Sequence, residues 1–161
     1  MNSTEVAKKL NSVSNEMLGN QYFMVRKYLA ASKEFEKALQ ACCENFTIMK
    51  KLVICYTQIN RPLDALEIFY KIISLDIGII LNTDPIAADC PCPGLIGEVE
   101  AGAVKYEDKY TINCMLGILW LYCDMSVSLR FLRKACEIEQ NNTLLNNIIN
   151  VYENYLMNNP Q

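Results

Sequence analysis

The sequence predicts an all-α fold built from a helical repeat. Four apolar or small residues recur at one spacing of 34 residues, as Leu18, Tyr22, Ala31 and Phe35 and then as Leu52, Tyr56, Ala65 and Phe69. Apolar residues in both copies also follow the three- and four-residue spacing of amphipathic helices. A fixed period in this range is typical of stacked pairs of helices.

Two copies of the repeat are predicted at residues 12–45 and 46–79. The apolar residues of the first helix follow helical spacing at Val13, Met17, Leu18, Tyr22 and Val25. In the second copy, Thr47 is expected to cap the first helix. Pro62 suits the first position of the next helix, because the N–H that proline lacks would be unpaired there anyway.

A third copy is predicted at residues 110–142, after an insertion at about residues 79–108. The Leu-Gly pair of the first copy recurs in it as Leu116-Gly117, and Trp120 takes the aromatic position. After a turn that is one residue shorter, the small, large and small positions are occupied by Ser128, Leu132 and Ala135. The insertion holds three of the five prolines and three of the six glycines, which are turn signals. Its apolar residues predict that it packs on the helices, with a short helix or hairpin. An amphipathic helix at 143–157 is expected to cap the array.

These residues resemble the tetratricopeptide repeat (TPR) family, which has a Leu-Gly pair followed at fixed intervals by aromatic, small, aromatic and small residues. The first copy matches every element, with Leu18-Gly19, Tyr22, Ala31, Phe35 and Ala38. The second copy has Val53 and Ile72 where the family has glycine and the last alanine. The resemblance implies a TPR-like right-handed α-α superhelix: one domain over residues 1–161, with about three helix-turn-helix repeats, the insertion and the capping helix.

Composition excludes several classes of function. The 15 Lys and Arg residues are dispersed and outnumbered by 18 Asp and Glu, which gives a net charge of −3, whereas nucleic-acid-binding domains usually carry a basic stripe. The longest apolar stretch, near residues 72–81, is interrupted by Asp76 and is too short to span a bilayer. Residues 1–11 lack the apolar core of a secretion signal. We therefore expect a cytoplasmic protein that binds neither nucleic acid nor membrane.

Catalysis is not expected, because the chain contains no histidine. That absence excludes Ser-His-Asp and Cys-His mechanisms within the chain. The carboxylate pairs Glu98/Glu100 and Glu107/Asp108 have no predicted partner in a pocket and are interpreted as solvated surface, and no phosphate-binding glycine loop is present. We expect neither an enzyme nor a cofactor.

Cys90 and Cys92 form the one candidate metal or redox site among the eight cysteines. They flank Pro91 in a proline-rich run, where two thiols could bind zinc or form a redox pair. Structural zinc sites usually place two residues between paired cysteines and add a second pair. A rigid turn with incidental thiols is therefore the main interpretation, and the metal or redox role is the alternative.

The TPR resemblance also implies a binding groove, because the first helix of each repeat in that family lines a concave face that takes a peptide. Projection of that face onto this chain gives Glu16, Asn20, Phe23, Met24, Lys50, Ile54, Thr57, Gln58, Cys114, Ile118, Leu121 and Tyr122. The apolar members would suit an apolar anchor from a partner. The TPR subclass that clamps a C-terminal carboxylate uses Lys, Asn and Arg, of which only Asn20 and Lys50 are matched in this chain.

The sequence thus predicts an adaptor that binds a protein or peptide partner through the concave helical face. Two alternatives remain open. One is a self-associating structural protein that exchanges the insertion or the C-terminal helix between protomers, and the other is the metal or redox role of Cys90 and Cys92. The groove residues could also pack on the insertion or on a second protomer.

Overall fold

The computed structural model describes residues 3–41, 44–84 and 92–159. These residues form helices joined by turns, without a strand, so the predicted all-α class is confirmed. The helices are α1 (Ser3–Met24), α2 (Tyr28–Ala41), α3 (Phe46–Gln58), α4 (Pro62–Leu75), α5 (Gly78–Leu81), α6 (Cys92–Glu100), α7 (Lys109–Leu121), α8 (Met125–Ile138) and α9 (Thr143–Asn158).

The chain divides into two compact units, Met1–Arg61 and Pro62–Gln161. The first unit contains α1, α2 and α3, and the second contains α4 to α9. The boundary falls at the turn before Pro62. The predicted second repeat copy therefore contributes one helix to each unit.

In the first unit, α1 packs along α2, and α2 packs along α3. The α1–α2 contact is close because Gly19 lies against the ring of Phe35. A Cβ atom at residue 19 would lie 2.6 Å from Cδ1 of Phe35, so any larger residue would displace the ring. Phe35 is fully buried, as are Ala31 and Ala38 on the same helix. Small residues thus let the two helices approach closely at this pair.

The second unit repeats this arrangement at α7 and α8. A Cβ atom at Gly117 would lie 2.6 Å from Cδ2 of Leu132, so the glycine and the large residue of the predicted third copy meet. Helix α9 packs against α4 and α8 and buries Leu145, Ile148 and Tyr152. The amphipathic C-terminal helix is thus present over nearly the predicted range.

The observed start of one helix agrees with the sequence-based prediction, and the N-cap of another differs from it. Pro62 is the first residue of α4, as predicted. The N-cap of α3 is Asn45 and not Thr47, because Oδ1 of Asn45 accepts a hydrogen bond from the Ile48 amide at 3.2 Å. Thr47 therefore lies inside the first turn of the helix, where a cap is no longer needed.

The predicted insertion, residues 79–108, contains the end of α5 and all of α6. Helix α6 packs against α7 and buries Leu95, Ile96 and Val99. The expected short helix is therefore present in the second unit. The residues numbered 85–91, which include Cys90, lie outside the described ranges.

Candidate functional site

The structure buries most of the predicted groove. Seven of the projected side chains lie in the core: Phe23, Ile54, Thr57, Cys114, Ile118, Leu121 and Tyr122. The hydroxyl of Thr57 donates to the carbonyl oxygen of Ile54 at 2.7 Å, which satisfies it within its own helix. These side chains hold helices together and are not presented to a partner.

The remaining groove residues are accessible, and all lie in the first unit: Glu16, Asn20, Met24, Lys50 and Gln58. Two of them make contacts between α1 and the α3 region. Lys51 donates to Oδ1 of Asn20 at 2.9 Å, and the amide of Asn45 donates to Oε2 of Glu16 at 3.3 Å. Both contacts lie within the first unit, so Asn20 and Glu16 take part in holding its helices together.

The burial has a clear cause in the amino-acid sequence of α3 and α7. Six consecutive residues of α3 are buried, from Leu52 to Thr57, and so are six consecutive residues of α7, from Cys114 to Leu119. A helix that is apolar on all sides is buried in a core and leaves no accessible face for a partner. The first helices of the second and third copies are of this kind.

An open cleft of about 600 Å³ lies instead at the α1–α2 turn of the first unit. It is lined by two tyrosines, three cationic residues, one carboxylate and several neutral residues: Tyr22, Arg26, Lys27, Tyr28, Leu29, Ala30, Lys33, Glu34, Gln58 and Ile59. We refer to it as the basic cleft. Of the predicted groove residues, Gln58 belongs to it.

The turn that forms the basic cleft is set by its backbone. The amides of Arg26 and Lys27 donate to the carbonyl oxygens of Phe23 and Tyr22 at 3.0 and 2.9 Å, which closes the end of α1. Arg26 has a φ of 57°, in the left-handed region that a side-chain-bearing residue adopts at some cost. Glycine would be the unstrained choice at this position. The chain instead has an arginine that lines the cleft.

The basic cleft is positively charged, whereas the chain as a whole is negatively charged. Arg26, Lys27 and Lys33 supply three positive charges, whereas the whole chain carries −3. The one carboxylate in the lining, Glu34, is paired with Lys37 through a 2.7 Å contact. The cleft therefore presents a net positive surface, and guanidinium and ammonium groups are the donors that bind carboxylates.

The walls of the basic cleft are aromatic and apolar. The Tyr28 ring meets Phe23 edge-on, with ring centroids 5.8 Å apart, so Tyr28 is anchored on the core of the first unit. Leu29 lines the cleft and is exposed, and Met24 and Val25, in the preceding turn, are exposed as well. The surface thus combines cations with uncovered apolar side chains.

The basic cleft was not predicted from the sequence, although a signal for it exists. Arg26-Lys27 is a basic pair at the turn between two predicted helices, with Tyr22 before it and Tyr28 directly after it. Lys33 follows about one and a half helical turns later. A turn that carries cations and tyrosines is a candidate recognition surface, because binding residues are frequent on loops held by a rigid scaffold.

Three of the described thiols, those of Cys55, Cys92 and Cys114, are buried. Cys92 is fully buried at the start of α6, and Cys90 lies outside the described residues, so the alternative role of this pair stays a prediction. Among the described ranges, no group of three or more His, Cys, Asp or Glu side chains could hold a metal ion. Burial raises the pKa of the Cys55 and Cys114 thiols to about 12, which makes both poor nucleophiles.

Alkylation of the native protein with iodoacetamide at pH 8 is expected to spare Cys55 and Cys114. With a pKa near 12 instead of 9, each has a thiolate fraction about a thousandfold lower, and burial blocks the reagent as well. Cys123, which is exposed, is the internal comparison. Peptide mass spectrometry with and without denaturant measures the difference. Equal labelling of the three in the native protein would contradict the burial of Cys55 and Cys114.

Two further observations bear on what the chain does. No helix within the described part of the chain is long and apolar enough to cross a membrane. No family model, no curated protein and no solved structure matches the chain. An assignment of function therefore rests on the residues of the two units themselves.

Proposed function

We propose that this chain is a TPR-like adaptor that binds an acidic segment of a partner protein in the basic cleft of its first unit. The observation that carries the proposal is the concentration of Arg26, Lys27 and Lys33 around an open, tyrosine-walled cleft in an acidic chain. The predicted adaptor function is kept, but the binding surface moves from the projected groove to the α1–α2 turn.

The TPR-like architecture is supported by the two glycine contacts. Gly19 against Phe35 and Gly117 against Leu132 recur in helix pairs of separate units, at the positions where the repeat pattern puts a small and a large residue. Repeat proteins of this kind present extended surfaces and commonly act by binding.

An acidic ligand is favoured by charge, and a peptide is favoured by shape and chemistry. Lys27 and Lys33 would pair with carboxylates, while Tyr22, Tyr28 and Leu29 would contact apolar side chains or backbone of the same segment. Tyrosine combines a large apolar ring with a polar hydroxyl, and it is enriched at protein interfaces for that reason. A small inorganic anion would pair with the cations without contacting these aromatic and apolar walls.

The proposal assigns no catalysis to the chain. Histidine is absent from the sequence, and burial raises the pKa of the described thiols Cys55 and Cys114. Binding by the residues of the basic cleft requires neither a nucleophile nor a general base. A cytoplasmic location is part of the proposal, since these two cysteines are buried as thiols inside helices, where they pack as small apolar residues.

Reversal of two charges in the basic cleft tests the proposal. A random peptide library selected on the purified protein is expected to yield segments with several Asp or Glu residues and at least one large apolar residue. Lys27→Glu/Lys33→Glu is expected to bind the selected peptides about 10- to 30-fold more weakly, because each exposed ion pair contributes up to about 1 kcal/mol. Fluorescence anisotropy with a labelled peptide measures the affinity, which should also fall as salt rises.

The matched control is Lys71→Glu, a charge reversal at an exposed lysine of α4 in the other unit. It should leave peptide affinity unchanged. The proposal fails if the selected peptides are not acidic, or if the control variant loses as much affinity as the cleft variant.

A further inference from the structure

We infer that the outer face of α1 is a self-association surface, on which two copies of this chain pair in antiparallel orientation. The surface is an apolar stripe of four residues, Val6, Leu10, Val13 and Met17. The inference goes beyond the proposed peptide binding and does not depend on it, since the stripe shares no residue with the basic cleft.

The apolar stripe is uncovered in the structure. Its four residues are 39, 65, 50 and 60% exposed in chain order. The buried residues of the same helix, Ser12, Gly19 and Phe23, lie on the other side of it, against the core of the first unit. Val13 and Met17, which follow helical spacing in the sequence, thus both point outward in the structure.

The spacing of the apolar stripe is that of a helix–helix seam. Its residues are separated by four, three and four positions, which is the alternation of a coiled-coil heptad. Asn20 occupies the next position and accepts a hydrogen bond from Lys51 within the unit, so the seam ends at Met17. A seam over residues 6–17 is about 17 Å long at 1.5 Å per residue.

The charges beside the apolar stripe select a second copy in antiparallel orientation. When Leu10 of one copy lies opposite Val13 of the other, a two-fold axis relates the helices, and Val6 lies opposite Met17. Lys9 and Glu16 flank the stripe on one side, so each Lys9 then lies near the Glu16 of the other copy. Both ion pairs form at once, as the symmetry of such an interface requires.

The opposite flank of the apolar stripe also fits this pairing. Ala7 and Ser14 lie there, and in the antiparallel register each Ala7 faces the Ser14 of the other copy. Two small residues let the helix backbones approach closely. A parallel pair would instead place Lys9 beside Ser14 and leave both charges without a complement. The sequence of α1 thus favours one orientation.

The dimer is expected to be weak, because its interface is short. A single helix seam of this length buries less than the roughly 1,200 Å² of a standard stable interface. Dissociation constants between about 10 µM and about 1 mM are therefore the range to examine. Sedimentation velocity over that range should show a reversible monomer–dimer equilibrium for the wild-type chain.

Two double substitutions distinguish association through the apolar stripe from nonspecific association through exposed apolar residues. Leu10→Glu/Val13→Glu is expected to weaken the dimer at least tenfold, and helicity should remain because both residues are exposed and glutamate is a good helix former. Met24→Glu/Val25→Glu removes two equally exposed apolar residues beyond the end of the seam, and it should leave the dimer unchanged. An equal loss in both variants would overturn the inference.

The orientation is tested by mixing two charge variants. Lys9→Glu and Glu16→Lys each place like charges across the seam, so each alone should dimerise about three- to tenfold more weakly than wild type. An equimolar mixture restores both ion pairs in a heterodimer and should associate with nearly wild-type strength. A mixture no stronger than either variant alone, or a wild-type chain that stays monomeric at about 1 mM, would show that a second copy is not the occupant of the apolar stripe.

Discussion

Phe35→Ala is expected to lower the free energy of unfolding by about 3–5 kcal/mol, which is the usual cost of removing a fully buried phenylalanine. Phe35 is completely buried, lies against Gly19, and has the ring of Phe23 at a centroid distance of 6.3 Å. Small domains are stable by only about 5–15 kcal/mol. The substitution should therefore unfold a large fraction of the first unit at moderate denaturant concentrations.

A second substitution makes this prediction specific to the Gly19–Phe35 contact. In the wild-type chain Gly19→Ala should cost about 1–3 kcal/mol, because the new Cβ would lie 2.6 Å from the ring. In the Phe35→Ala background the ring is absent, and the same change should instead stabilise by up to about 1 kcal/mol, since alanine is the better helix former. The sign of the effect should thus reverse between the two backgrounds.

Urea unfolding followed by far-ultraviolet circular dichroism measures all four members of this cycle. Leu29→Ala is the control, because Leu29 is an exposed apolar residue on the same helix as Phe35. It should change the free energy of unfolding by less than about 1 kcal/mol. Additive effects of Gly19→Ala and Phe35→Ala would show that the two residues are not in contact.

Substitutions at Tyr152 should have the second large effect, in the second unit. Tyr152 is fully buried, and burial raises its pKa far above the usual range. Its hydroxyl lies 2.7 Å from Oγ of Ser128, which in turn donates to the carbonyl oxygen of Gly117 at 2.5 Å. Since the Ser128 proton is used in that bond, Tyr152 is the donor to Ser128. The chain of bonds joins α9, α8 and α7.

Because Tyr152 donates to Ser128, substitutions at these two residues should lower the free energy of unfolding in a definite order. Tyr152→Ala should cost about 3–5 kcal/mol, because it removes a fully buried aromatic side chain. Ser128→Ala should cost about 1–3 kcal/mol, because it leaves the buried Tyr152 hydroxyl without the acceptor that it has in the structure. Tyr152→Phe should cost only about 1 kcal/mol, because Ser128 still donates to Gly117.

Trp120 is the single tryptophan of the chain and lies in α7, so its fluorescence reports on the second unit. Urea transitions followed at this residue should reproduce the predicted order. Met157→Ala, at an exposed position of the same helix as Tyr152, should shift the free energy of unfolding by less than about 0.5 kcal/mol. A larger loss for Tyr152→Phe than for Ser128→Ala would reverse the assigned donor.

The helices could be predicted from the sequence because their signals are local. Pro62 determines the start of α4, and the Leu-Gly pairs identify the residues at which two helices meet, as Gly19 and Gly117 show. The cap of α3 was misplaced for an equally local reason. Asn45 and Thr47 are both good capping residues, and only the geometry of the turn decides between them.

The groove could not be predicted in the same way, because helical periodicity does not show how many sides of a helix are covered. Ile118 and Leu121 lie on α7, whose apolar residues surround the helix, so both are core residues. On α1, by contrast, Val13 and Met17 are periodic and apolar but remain exposed. Burial depends on neighbouring helices, which the repeat pattern does not specify.

Prediction of the basic cleft likewise requires knowing which helices are neighbours. Arg26 and Lys33 are ordinary surface residues in the sequence, and they form one site only because the α1–α2 turn brings them beside Gln58, which follows much later in the chain. Composition predicted correctly that the chain as a whole is acidic, but it could not show where its cations gather.

The two glycine contacts also determine how the chain can fold. Gly19 meets Phe35 and Gly117 meets Leu132, so each contact closes a loop of about 15 residues and costs little chain entropy. Structures dominated by contacts of such short sequence separation fold rapidly. The α1–α2 and α7–α8 hairpins can each form without waiting for distant parts of the chain. The α1–α2 hairpin can therefore form during synthesis, before α9 has left the ribosome.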